Sequence, residues 1–434
     1  MPSNRQRRLF VLSLDGVSCS FLERGIASGD FPHLGELARS ARLRKIHSEL
    51  PAVSSVAWTS FATGADPATH GVFGFVDRVA STGELFIPTA RHRRAPTIWQ
   101  RLSDQGRPAI SINVPGVYPP DDIRGCVVAG FLCPSLDRAT TRPDIARRLA
   151  EIGYVVDVDA TLGRGQDKQP FIAALRDALS KRRDLALWLL DREPWDFFQL
   201  HIMETDRINH FLWDAHEDAN HPSHAAFGRF YREVDALAGE IIARIRGEAA
   251  WMILSDHGFA RTRAEVNVNA LLRELGFLRY SQSDPPRAEM NLDAVEAGSR
   301  AFSLLPGRIY VNLAGRERRG SVPEELYEQV VAELAEALGQ VKLDGPDQQP
   351  VCAFIARARD IYCGPLLGEA CDLIAVGKDG LDLKAGFRAE VPFAPPSLAG
   401  VHTYDDAFVI ASDVLRGDEA AIRDVGRRVH EFLL

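Results

Sequence analysis

The sequence predicts an α/β fold with a largely parallel central sheet. Three observations carry this. Strand-like and helix-like segments alternate along most of the chain, as in repeated βαβ units. The strand-like runs, such as "RLFVLSL" and "AAWMILSD", are apolar without alternation, which suits strands buried on both faces. Two of them lead directly into an aspartate, at the carboxyl edge where open parallel sheets form their sites.

The elements follow in order. Residues 8–14 make the first strand, which closes on Asp15. "FPHLGELARSA" (31–41) is a helix with a proline near its start, where the missing N–H is not needed. Ser54 and Ser55 follow Pro51 in a loop that leads into "AWTSFATG", a further helix. "PTIWQRLSDQGR" (96–107) is a helix with Gly106 at its end, and "PAISINVP" (108–115) is a strand closed by Pro115. "GCVVAGFL" (125–132) is another strand, residues 170–190 are a long helix, and "WDFFQLHIME" (195–204) is an apolar strand. "HAAFGRFYREVDALAGEIIARIRG" (224–247) is an amphipathic helix that precedes the strand at 249–256.

Between His257 and His402 the pattern changes. "NVNALLRELGFL" (267–278) reads as a helix, "GRIYVNL" (307–313) as a short strand and "PEELYEQVVAELAEALG" (323–339) as a helix, separated by polar loops such as "SQSDPPRAEMN" (281–291). The expected organisation is a core domain over 1–259, an insertion or cap over 260–399 that contributes to substrate selection, and a return to the core over 400–434.

A hydrophobic content of 46% with 25% charged residues is that of an ordinary globular protein. The net charge of −8 leaves no cationic excess for gripping a nucleic-acid polymer. The first apolar run is too short for a signal peptide, and cleavage behind it would remove Asp15. No uninterrupted apolar segment reaches the ~18 residues of a membrane span. The six cysteines show no CxxC pair and read as reduced and mostly buried, which predicts a cytoplasmic protein. Oligomeric state is not written in the sequence.

Five short motifs hold ligand-type residues: Asp15, Ser54, Asp206 with His210, Asp256 with His257, and His402. Three Asp, three His and a serine hydroxyl suit two divalent cations around a nucleophile. A single Asp at a strand end is commonly a cap or turn residue; three with histidine neighbours point to a site. Asp206 and His210 are four apart, so one helical turn sets them on one face. Asp256 and His257 are adjacent and share a target only if the chain turns there, for which Gly258 supplies the freedom. Spacing alone leaves open whether Ser54 and Ser55 cap a helix or do chemistry.

The ordered set "LSLDG", "PAVSSVAWTSFATGADPATHG", "DRINH", "SDHG" and "GVH" resembles the alkaline phosphatase superfamily. More narrowly it resembles the type I phosphodiesterase/nucleotide pyrophosphatase branch, with further segments similar to its phosphohydrolase/phosphomutase group. The resemblance runs from Leu9 to about Asp405 and implies an alkaline-phosphatase-like sandwich with an inserted cap. It implies one metal at Asp15, Ser54, Asp256 and His257 and another at Asp206, His210 and His402. It also places Ser54 as the nucleophile of a two-metal in-line displacement through a phosphoserine. The His-rich ligand set favours Zn²⁺ and also accepts Mn²⁺.

The expected substrate is a small phosphorylated metabolite or nucleotide. A sulfatase pattern is missing, because Ser54 is followed by Ser55, Val56 and Ala57. One departure stands out: where the pyrophosphatases carry a phosphate-binding Asn, this chain has Phe75. The Ser55 backbone N–H or a cap residue is then the expected oxyanion contact, with Arg279, Arg308, Arg316 and Lys378 as cationic candidates. The departure keeps a monoester or a phosphonate open as substrate, and a metal-dependent phosphomutase or a phosphonate or sulfate ester hydrolase would use the same scaffold.

Overall fold

Six consecutive buried residues, Leu9–Leu14, make the strand on which the first half of the chain is built. The computed structural model describes residues 7–280, 290, 292–343, 348–412 and 414–434. The loop expected at 281–291 lies, apart from Met290, outside them. The chain divides into two units, one of Met1–Ala65, Thr89–Phe259 and His402–Leu434, the other of Asp66–Pro88 with Ala260–Val401. No described helix is long and apolar enough to cross a membrane.

Seven strands make the sheet of the first unit: β1 (Leu9–Leu14), β2 (Arg44–Ile46), β3 (Ala109–Ile112), β4 (Gly125–Val128), β5 (Phe197–Ile202), β6 (Ala250–Leu254) and β7 (Ala407–Ala411). Their order is β2-β7-β6-β1-β5-β3-β4. β1 runs parallel to β5 and β6, and β3 parallel to β4 and β5, while β7 is antiparallel to β2 and β6. This is the α/β fold with a mostly parallel sheet that the apolar runs predict. The register sets Ser13 level with both His201 and Leu254, so the carboxyl ends of β1, β5 and β6 share one edge.

The long helices lie where the periodicity places them, at Pro32–Ala41, Gln169–Arg192 and His224–Ile245. The helix Ile98–Asp104 starts at Thr97, which forms a reciprocal capping box with Gln100. The helix Cys19–Ser28 was not anticipated, because Gly25 interrupts its pattern. That glycine is steric: a Cβ there would sit 2.0 Å from the Phe31 ring.

The second unit is mostly antiparallel. Ala301–Leu304, Arg308–Val311, Leu373–Gly377 and Cys352–Arg357 form a four-stranded sheet in that order. A three-stranded sheet joins Leu381–Lys384, Ala264–Asn267 and Phe393–Ala394, and the main helix is Tyr327–Gly339. The helix expected over 267–278 is only Val268–Glu274: Asn267 ends the strand Ala264–Asn267, and Gly276 at φ +75° follows the C-cap Leu275.

Segment 66–88 belongs to this unit through buried ion pairs. Arg308 is fully buried against Asp77 and the Val76 carbonyl, and a Cβ at Gly74 would fall 2.3 Å from its guanidinium. Arg78 pairs with Glu317 over 2.5 Å. Arg308 and Arg316 are thus committed to structure, the latter through Asp372 at 2.6 Å. Arg279 and Lys378 are exposed.

In the first unit the helix Ser54–Thr63 packs against the C-terminal helix Ile422–Leu433 with no room for a side chain at Gly426. A Cβ there would lie 2.3 Å from the Phe61 carbonyl oxygen. Gly426→Ala is expected to cost about 1–3 kcal/mol through overpacking, despite alanine's better helix propensity. Urea unfolding checks this, and an unchanged or raised midpoint would contradict the contact.

Candidate metal centre

Asp15 is the first residue beyond β1, and Gly16 with φ +64° turns the chain away behind it. Asp256 stands two residues beyond β6. Asp206 lies in the first turn of the helix Glu204–Glu217 that follows β5, with His210 one turn on. The shared register brings these three strand ends to one edge. All seven residues singled out from the sequence belong to the first unit.

Ser54 is the first residue of the helix Ser54–Thr63 and not part of a preceding loop; Val53 takes the N-cap position and no side chain caps the helix. Ser54 therefore does not serve as a cap. Its Oγ donates to Asp15 Oδ1 at 3.0 Å and lies 3.3 Å from His257 Nε2. Ser55 is the next helical residue, and its carbonyl accepts from Thr59 Oγ1 at 2.6 Å.

His257 Nε2 lies 3.5 Å from Asp15 Oδ1 and 3.3 Å from Asp256 Oδ2. On the other side, Asp206 Oδ1 lies 3.4 Å from His210 Nε2 and 3.2 Å from His402 Nε2, and the two imidazole nitrogens are 3.0 Å apart. The His257 and His402 rings stack at 3.6 Å between centroids. Ligand atoms of Asp206, His210 and His402 lie within 4.8 Å of one another, and so do those of Asp15, Asp206 and His257. Asp206 thus faces both sets, which spacing did not reveal.

Gly258 matters for a reason other than the expected one. Its φ is not positive; instead a Cβ would meet Thr403 Oγ1 at 2.4 Å and the Asp406 carbonyl at 2.9 Å. Close approach, not backbone freedom, requires the glycine.

The electrostatics call for a cation. Asp15, Asp256 and His257 are fully buried. Burial, with the charge of Asp15 beside it, pushes the Asp256 carboxyl well above its usual range. Asp256 Oδ2 has no hydrogen-bond partner. Burial opposes ionisation of Asp206 too, but His210 and His402 outweigh it and hold this carboxyl low. Burial, then His402, brings His257 down to about 3. His257 Nδ1 is 3.1 Å from the Gly258 carbonyl and His402 Nδ1 is 3.0 Å from the Ala52 carbonyl. With those N–H groups donating to carbonyls, each Nε2 turns its lone pair toward carboxylates. Lone pairs and buried carboxylates that face one another fit divalent cations between them.

The supporting residues carried almost no signal in the sequence. Asp15 Oδ2 accepts from Trp58 Nε1 at 3.0 Å and lies 3.1 Å from the buried His201 Nε2. Thr205 Oγ1 donates to the Asp15 carbonyl at 2.6 Å, and Asn209, held by the Tyr231 hydroxyl at 2.8 Å, donates to the Gly16 carbonyl at 2.9 Å. Of these only His201 was visible in principle, as a polar residue inside the otherwise apolar run "WDFFQLHIME".

Residues 9–405 match the family described as type I phosphodiesterase / nucleotide pyrophosphatase, and the chain belongs to that family. Among solved structures it is similar to phosphonoacetate hydrolase from Sinorhizobium meliloti 1021 in complex with phosphonoacetate, with TM-score 0.66, 18% identity, and coverage of 99% of this chain and 96% of that one. It is also similar to murine ectonucleotide pyrophosphatase / phosphodiesterase 5, an inactive variant in complex with AMP, with TM-score 0.55, 14% identity and coverage of 99% and 95%. The human counterpart gives TM-score 0.55 and 13% identity over 98% and 95%. The fold is thus alkaline-phosphatase-like, and the chain is a metal-dependent phosphoric ester hydrolase.

Metal-stripped protein reloaded with Zn²⁺ or Mn²⁺ is expected to take up two equivalents, and His210→Ala or His402→Ala to approach one. Each cation at 100 times its dissociation constant should add about 2.7 kcal/mol of stability. Elemental analysis with thermal melts reads both, and a folded protein that takes up neither metal would contradict the centre.

Proposed function

We propose that the chain hydrolyses small phosphoesters through a phosphoserine at Ser54, with two divalent cations, Zn²⁺ in preference to Mn²⁺, as cofactors. The observation that carries this reading is the Ser54 hydroxyl itself. It is not spent on capping its helix, and it lies within 3.3 Å of both a buried Asp and a buried His. Asp15, Ser54, Asp256 and His257 would hold one cation and Asp206, His210 and His402 the other. When bound, the cations stabilise negative charge on the attacking and leaving oxygens.

The chain's own residues supply the rest. The Ser54 proton faces Asp15 Oδ1, its hydrogen-bond acceptor. Ser54 Oγ forms the bond to phosphorus as that proton passes to Asp15 Oδ1. The bond from phosphorus to the leaving oxygen breaks with its electron pair, and that oxygen takes a proton from water. The hydroxide so formed attacks the phosphoserine, the P–Oγ bond breaks with its electron pair on Oγ, and Ser54 takes back its proton from Asp15. The helix begins at Ser54, so the Ser55 backbone N–H at its N-terminus would meet an anionic oxygen held beside the nucleophile.

The insertion over 260–399 is assigned the choice of substrate. A phosphonate is the second reading, supported by the fold likeness to an enzyme solved with phosphonoacetate. Six free cysteines, three of them buried, support a cytoplasmic setting.

Ser54→Ala is expected to abolish turnover of an aryl phosphoester by several orders of magnitude, far beyond the ~0.5–2 kcal/mol of a lost N-cap. Ser55→Ala retains the backbone N–H and should keep most activity. Steady-state assays of the pair decide it: an active Ser54→Ala with a dead Ser55→Ala would move the nucleophile by one residue. In a matched series, phosphate esters should turn over faster than sulfate esters, and a sulfate preference would reverse the assignment.

A further inference from the structure

Beside Asp206 stands a guanidinium with no role in the scheme above. Arg207 follows Asp206 on the helix Glu204–Glu217, and its side chain is 15% exposed. Two of its three nitrogens are fixed by a carboxylate: Nε donates to Asp157 Oδ1 at 3.2 Å and Nη2 to Asp157 Oδ2 at 2.5 Å. The guanidinium carbon lies 5.0 Å from the centre of the Phe131 ring. Nη1, the third nitrogen, points to the metal-ligand side and lies 4.0 Å from Asp206 Oδ2, beyond hydrogen-bond length.

The scaffold behind Arg207 is built to the same end. Asp157 sits in the stretch between the helices Pro143–Glu151 and Ala160–Arg164. The fully buried Arg182 anchors that stretch through the carbonyls of Val155 and Val156, the latter at 3.0 Å. The same guanidinium donates to Glu204 Oε1 at 3.0 Å, on the first residue of the helix that carries Asp206 and Arg207. A buried arginine thus ties together the two segments that carry Asp157 and Arg207. Surface arginines are rarely held so firmly, because each fixed rotamer costs side-chain entropy. None of the three aspartates or three histidines of the cluster is a fixed cation, whereas Arg207 is a permanent positive charge with Nη1 4.0 Å from Asp206 Oδ2.

We propose that Arg207 is a substrate-binding residue, which donates from Nη1 to an anionic oxygen of the phosphoryl or phosphonyl group, with Asp157 as the residue that positions it. The assignment rests on the reading of the cluster as a phosphoester hydrolase site. It adds to the sources expected from the sequence, and like the Ser55 backbone, but unlike the cap, it lies on the parallel-sheet unit. A fork held at two nitrogens along one edge by one carboxylate presents the remaining nitrogen at a fixed angle, which lysine cannot reproduce.

The test compares metal-loaded wild type with Arg207→Gln, Arg207→Lys and Asp157→Asn, reading turnover of an aryl phosphodiester, inhibition by inorganic phosphate, metal content and melting temperature. Arg207→Gln is expected to keep two metals while its kcat/KM falls roughly 10- to 100-fold, the range of a lost charged hydrogen bond. Its inhibition constant for phosphate should rise by a similar factor. Arg207→Lys should fall between, and Asp157→Asn should show mainly a raised KM with metal content unchanged. Wild-type kcat/KM and phosphate inhibition in Arg207→Gln would overturn the proposal. So would a loss of metal or fold in Arg207→Gln if Arg207→Lys and Asp157→Asn remain intact and bind phosphate like wild type, since the residue would then be structural. A wild type inactive on all phosphoesters would instead refute the hydrolase reading, and phosphate protection against thermal unfolding would then still test Arg207.

Discussion

Three carboxylates and three imidazoles meet at one edge of a parallel sheet, and the carboxylates cannot all be charged there without a counter-charge. Asp15 and Asp256 are fully buried and both approach His257 Nε2 within 3.5 Å. Burial and mutual repulsion push Asp256 toward its neutral form, and its Oδ2 finds no hydrogen-bond donor. An uncompensated buried charge costs several kcal/mol. A fold that retains such an arrangement stores an unfavourable interaction that a divalent cation converts into binding energy. The rest of the first unit is arranged to keep those groups in place.

Placement is achieved by strand register and by close packing rather than by long side-chain networks. β1, β5 and β6 end level with one another, so a residue just beyond each reaches the same region. Short supporting contacts then fix the backbone. Gly16 N donates to Asp256 Oδ1 at 3.0 Å, and Thr205 holds the Asp15 carbonyl. Ser18 Oγ accepts from Phe259 N at 2.7 Å, just past His257. Gly258 and Gly426 contribute by having no side chain: one lets the strand behind His257 approach Thr403 and Asp406, the other lets the helix of Ser54 seat against the C-terminal helix. Metal ligands on rigid strand ends, oriented by a surrounding shell of donors, are the arrangement that precise coordination requires.

Much of this was legible because chemistry and periodicity act locally. The apolar runs around Leu9–Leu14 and Ala250–Leu254 announce doubly buried strands, and Asp15 and Asp256 stand just beyond them. The four-residue step from Asp206 to His210 becomes a 3.4 Å contact on a helix. What stayed hidden depends on distant neighbours. Trp58 reads as an ordinary core residue, and nothing near it in sequence says that its indole N–H reaches Asp15. Segment 66–88 joins the second unit through Arg308 and Arg78, whose partners lie more than 200 positions away. Arg308 and Arg316 read as free cations in sequence; only their buried carboxylate partners show them to be structural. Of the antiparallel strands in the four-stranded sheet of the second unit, Arg308–Val311 was read from the sequence and its three neighbours were missed. Cys352–Arg357 overlaps the apolar run Val351–Ala356, which is too short for periodicity to tell a strand from a buried helical segment, and its residues are partly exposed.

The most direct test of the central claim is anomalous diffraction at the zinc edge from crystals of Zn²⁺-loaded protein. The expected result is two peaks, one among Asp15, Ser54, Asp256 and His257 and the other among Asp206, His210 and His402. Ligand distances should be about 2.0–2.2 Å. Well-ordered aspartates with no anomalous peak between them, or zinc bound only elsewhere, would contradict it.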